Sequence, residues 1–222
     1  MTDHSSRADA AAPSPGPLAA GLLALLAAAV VIVADMLLFP GADRMREGGG
    51  VETASALLYL PALLVALRHT DPRRLWMAPL LLAAMSMREF DFDKRFTSEG
   101  LLSIKVFTYD TPLWEKALAA VVLVTLGTAI VLLLRRRGRA FLRDLSRRRP
   151  WALYLAAGLL LTVVSKSIDG LARKLEPWGI DVSAAVGGAA GRIEEALELG
   201  IPVLMLMAAL AVSRDRASLT AR

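Results

Sequence analysis

The sequence predicts an all-α fold: a polytopic integral membrane bundle of about six transmembrane helices, with both termini cytoplasmic. Three observations carry this. Hydrophobic residues make up 55% of the 222-residue chain and the mean hydropathy is +0.50, whereas a soluble domain has roughly 45–50% apolar residues. The apolar residues gather into runs, several near the roughly 20 residues that cross about 30 Å of hydrocarbon. The cations divide unevenly between the two sets of loops, as expected of oriented membrane insertion.

Residues 1–17, rich in Ala, Ser, Pro and Asp, read as a disordered tail. The first apolar run is 18–39, interrupted by Asp35. It is long for a signal-peptide core, and Arg7 is its only upstream cation. The second run is 51–67, the third 75–87, the fourth 113–134, the fifth 151–164 and the sixth 193–212. Together 18–213 form one transmembrane domain, and 214–222 a short C-terminal tail. The third and fifth runs are too short to span alone. Each must continue through a charged stretch, 88–96 and 165–171. Trp76, Trp114, Trp151 and Trp178 fall near the predicted interfaces, where indole is favoured. Within the outer loop 97–112, partial alternation over 102–109 suggests a short interfacial strand or lid.

Orientation follows from Lys and Arg. The side holding both tails and the loops after the second and fourth spans nets +10, and the other side nets −5. The +10 side is expected to be cytoplasmic, in a bacterial inner (plasma) membrane. Its largest block is Arg135, Arg136, Arg137, Arg139, Arg143, Arg147, Arg148 and Arg149, read as a loop that sets topology and meets anionic lipid headgroups.

Several functions are excluded early. There is no Cys, hence no disulfide, thiolate metal site or thiol nucleophile, and the only histidines are His4 and His69. Basic residues lie between apolar runs, which argues against nucleic acid. Asp169-Gly170-Leu171-Ala172-Arg173 resembles part of the CDP-alcohol phosphotransferase signature. The match breaks, because Lys166 stands where that signature has its first Asp, and one residue rather than two separates Gly170 from Ala172.

The remaining signal is the acidic outer side. Glu52, Glu115, Glu194 and Glu195 fall in the first turns of inward-running helices, where the helix dipole favours a carboxylate. Glu198 lies a turn deeper and shares a face with Glu194. Asp35, Glu89, Asp91, Asp93 and Asp169 sit near C-terminal ends, where the dipole opposes them. On a continuous helix Glu89 and Asp93 share one face, with Arg88, Lys94 and Arg95 beside them. Lys166 and Asp169 are spaced to pair. Intramembrane ionisable residues are functional candidates by default. The expected pocket is therefore Asp35, Glu52, Arg88, Glu89, Asp93, Lys94, Arg95, Lys166, Asp169, Glu194, Glu195 and Glu198. Within it, Glu89, Asp93, Asp169 and Glu198 are hard oxygen donors suited to Mg, Ca or Mn.

Three functions fit such a pocket. The first is binding or transport of a cation, proton or small charged solute, with a homo-oligomer able to supply further helices. The second is a metal-dependent membrane enzyme acting on a lipid or isoprenoid phosphate. The third is an accessory subunit whose charges pair with a partner.

Overall fold

The computed structural model describes residues 16–38, 50–69 and 75–220, except the side chains of Met36, Asp93 and 216–220. The tail 1–15, Gly48 and Gly49 of the first outer loop, and most of the loop after the second span lie outside these residues. Among the described residues there is no strand. The long helices are α1 (Pro17–Leu38), α2 (Gly50–His69), α6 (Leu113–Ser146), α7 (Pro150–Ile168) and α9 (Ala184–Thr220). All five are long and apolar enough to cross a bilayer. The protein is an all-α integral membrane bundle.

The third predicted span differs. It is α3 (Met77–Glu89), 13 residues that rise only about 20 Å. It does not continue through 88–96 as one helix. Phe90 closes it, Asp91 takes left-handed backbone angles (φ 49°), and a separate five-residue α4 (Phe92–Phe96) follows. The face-sharing predicted for Glu89 and Asp93 therefore fails. The fifth span behaves alike. α7 ends at Ile168, and Gly170 turns with φ 60° before the short α8 (Leu171–Leu175). A left-handed residue ends a helix by redirecting the chain, and Gly does so without a Cβ penalty.

Other boundaries also moved. The 102–109 stretch forms no strand but contains the one-turn α5 (Lys105–Thr108). The arginine block is not a loop: α6 runs through it for 34 residues, to Ser146. No proline lies between Leu113 and Ser146, and Arg is a good helix former. The stop comes at Pro150, the first residue of α7, a position that tolerates its missing N–H. α9 starts nine residues earlier than expected and reaches Thr220. Ser183 precedes it, and its hydroxyl accepts the Val186 N–H at 3.4 Å, as a helix N-cap does.

Small residues let the helices approach. The core joins Ala24 and Ala28 of α1, Ala54, Leu58 and Ala62 of α2, and Val203, Leu206 and Met207 of α9. Apolar driving force is weak between helices in lipid, so close van der Waals packing over Ala and Gly substitutes for it. At Gly158 of α7, a Cβ would lie 2.6 Å from the Met205 methyl of α9. α9 also packs against α1, α2 and α7, whereas α3 bridges α2 to α6. Only 11% of the α6 span is buried, against 44% of the α9 span, so α6 is peripheral and α9 central.

The helices alternate and give the bundle two ends. At one, Gly16 lies beside the Arg214 guanidinium and Phe141 of α6 meets Trp151 of α7. At the other, Asp35 of α1 sits against Gly50, where α2 begins.

Candidate functional site

The second end holds a cavity of about 560 Å³. The start of α2, the end of α3, the turn at Asp91, the loop around Glu99 to Ser103, the end of α7 and the middle of α9 line it. Nine of the twelve expected residues meet there: Glu52, Arg88, Glu89, Lys94, Lys166, Asp169, Glu194, Glu195 and Glu198. Asp35 lies against Gly50 instead, where a Cβ would come within 2.8 Å of its own. Its place is the α1–α2 contact. Arg95 is exposed on α4 and does not line the cavity. The Asp93 side chain lies outside the described ones.

The predicted dipole argument does not hold for Glu194 and Glu195. Together with Glu198 they sit 10 to 14 residues inside α9, far beyond the first turn where the dipole acts. Glu194 and Glu198 are held instead by Lys166. Its Nζ is 2.8 Å from Glu198 Oε1, 3.6 Å from Asp169 Oδ2 and 3.7 Å from Glu194 Oε1. The i, i+3 pair within α7 and its turn thus joins the i, i+4 pair of α9 through one ammonium. The Ser165 hydroxyl donates to the same Glu198 oxygen at 3.3 Å.

Glu198 is also fixed through its backbone. Pro202 lies inside α9 and has no N–H to give the carbonyl four residues earlier. That carbonyl belongs to Glu198. The buried Ser55 hydroxyl of α2 donates to it at 3.4 Å. Side-chain hydroxyls commonly satisfy carbonyls freed by proline inside membranes. A second hydroxyl joins α2 to α3, where buried Ser86 donates to the Ala56 carbonyl at 3.1 Å.

The cavity rim is pinned separately. Glu115, 4% exposed in the first turn of α6, accepts both the backbone N–H of Ser98 at 3.0 Å and its hydroxyl at 2.7 Å. Its role is wider than complementing the dipole, because it anchors the loop that carries Glu99. Thr111 closes the other end of that loop by donating to the Val106 carbonyl at 2.6 Å. On the α3 side, Lys94 pairs with Asp91 at 2.7 Å. Arg88 lines the cavity and engages no carboxylate in a salt bridge among the described residues.

In all, eight carboxylates and three cations face the space. Glu99, Ser55, Ser103 and Gly191 are lining residues that sequence reasoning missed, and Asp91, singled out there as a helix-end carboxylate but not placed in the expected pocket, lines it too. Ser55 had a signal in Pro202, whose missing N–H demands a donor from elsewhere. Glu99 had none, since only the folded loop brings it over. Among the described residues, no group of three or more Asp, Glu or His side chains is placed to hold a metal ion. Of the expected metal set, Asp169 and Glu198 share the Lys166 ammonium, Glu89 lines the same cavity, and the Asp93 side chain lies outside the described ones. Compared with known protein families, curated proteins and solved structures, the chain matches none.

Proposed function

We propose that this membrane protein binds or transports a small positively charged solute through the pocket at the non-cytoplasmic end of its bundle. One observation supports the reading above the others: a cavity of about 560 Å³ with eight carboxylates against three cations. The volume suits a small molecule, since such sites hold roughly 300–1,000 Å³. The acidic excess favours a cation by Coulomb attraction, which strengthens where walls are apolar and dielectric is low. An enzyme holding a lipid phosphate would need bound metal ions or further cations to offset this acidic excess. The arginines of α6 have a separate role at the other end, meeting anionic headgroups at about 1 kcal/mol per cation near the surface.

The test is a thermal-shift screen of the purified chain with alkali, divalent and organic cations, and with lipid phosphates for contrast. A ligand at a hundred times its dissociation constant stabilises by about 2.7 kcal/mol. The expected result is stabilisation by a cation that Glu198→Gln weakens. Flux of that cation into proteoliposomes then separates transport from binding. Stabilisation by lipid phosphates alone, or by nothing, overturns the reading.

A further inference from the structure

We propose that Lys166 is a tethered counter-ion. Its ammonium occupies the place of a ligand's ammonium group among the carboxylates, and withdraws when an alkylammonium or diammonium solute enters. The inference rests on the cation-binding reading and narrows it to a substrate class.

The geometry of the cluster supports it. Of the three carboxylates around Nζ, only Glu198 at 2.8 Å is at hydrogen-bonding distance; such bonds run about 2.7–3.2 Å. Asp169 and Glu194, at 3.6 and 3.7 Å, are attracted but not bonded. With all four groups ionised, the cluster keeps two uncompensated negative charges beside open cavity. An ammonium has three donors and can serve three acceptors at once, so one seated more centrally would be better satisfied than Lys166 is. Lys166 extends from the last turn of α7.

The tether can also let go. The Lys166 side chain is 37% exposed, and its four-carbon stem is flexible. Its backbone stays in place meanwhile, because the Lys174 ammonium donates to the Lys166 carbonyl at 2.7 Å. Displacement therefore needs side-chain rotation and no unwinding of α7. A ligand carrying an ammonium matches the chemistry it replaces. A bare metal ion matches it less well, since the described carboxylates are not arranged as a metal shell.

The experiment measures binding of butylammonium to the full chain in detergent, by calorimetry, for wild type, Lys166→Met and Lys166→Arg. Removing one like charge across a partly wetted contact predicts binding about tenfold tighter in Lys166→Met. Lys166→Arg, which keeps the charge, shows no gain. A second measurement uses wild type alone. Acylation of Lys166, read by mass spectrometry as a ratio to that of the exposed Lys105 in the same sample so that reagent consumed by butylammonium cancels, speeds up when butylammonium is added, because the displaced amine has lost its carboxylate partners. If Lys166→Met does not fold, this measurement decides. Equal affinities in wild type and Lys166→Met, or slower or unchanged acylation, overturn the tether while leaving the cation pocket standing. Absence of binding to wild type and variant alike overturns both.

Discussion

The two ends of the bundle carry charge in different ways. At the arginine end, eight cations follow one another along a single helix and the turn after it. They are exposed, and Arg143 meets Asp144 in a loose contact at 3.7 Å. At the cavity end, charges come from separate helices and turns and converge on shared partners. Lys166 of α7 meets Glu194 and Glu198 of α9, and Glu115 of α6 holds Ser98 across a loop. The first pattern can be built by composition alone. The second requires the fold to be correct to within a few tenths of an ångström. Convergence, not abundance, is what separates a site from a charged surface.

Substitutions break or sharpen this contrast, and the largest effect is expected at the rim. Glu115→Ala removes two charge-assisted hydrogen bonds from a buried position, a loss of about 2–3 kcal/mol. Its signature is a lower thermal midpoint with faster proteolysis within 97–112. Next is Glu198→Gln, which leaves Lys166 with two distant carboxylates. Partial exposure limits the loss to about 1–2 kcal/mol. A double-mutant cycle with Lys166→Met should recover most of it as coupling energy; additive losses would mean the pair does not communicate. Ser86→Ala removes one buried hydroxyl bond between α2 and α3 and costs about 1 kcal/mol. The smallest effect belongs to the other end. Arg139→Gln and Arg143→Gln, made singly, change stability in detergent by less than about 0.5 kcal/mol. A loss at Arg143 comparable to that at Glu198 would erase the distinction between the ends.

Much of this architecture is legible in the sequence, for identifiable reasons. Apolar runs near 20 residues locate four of the five spans because the bilayer fixes their length, and the shorter run 151–164 reaches spanning length through its polar continuation to Ile168. The spacings of Lys166 to Asp169 and of Glu194 to Glu198 show which residues share a face. That one ammonium joins both pairs could not be read, because it depends on how α7 packs against α9. Helix ends were misread where the decisive cue was small. Asp91 breaks α3 through its own backbone angles, with no glycine or proline nearby. Charge alone is no helix stop in the arginine block: those residues hold no proline before Pro150, and Gly138 is carried inside α6. The start of α9 leaves little trace in the sequence because the Ala- and Gly-rich stretch 184–191 carries no apolar stripe, though Ser183 is a good cap. The loop that brings Glu99 over the cavity left no periodic trace.

Pro202 has a mechanical consequence. An ordinary helix resists bending because every turn is closed by its own hydrogen bonds. In α9 the turn above Pro202 is closed instead by a hydroxyl of α2, through Ser55 and the Glu198 carbonyl. Bending there meets one helix bond fewer than elsewhere, with the long Ser55 contact standing in its place. The half of α9 that bears the carboxylates therefore bends most easily about this turn, against the half anchored in the apolar core. Its pivot lies one turn from the residue that grips Lys166.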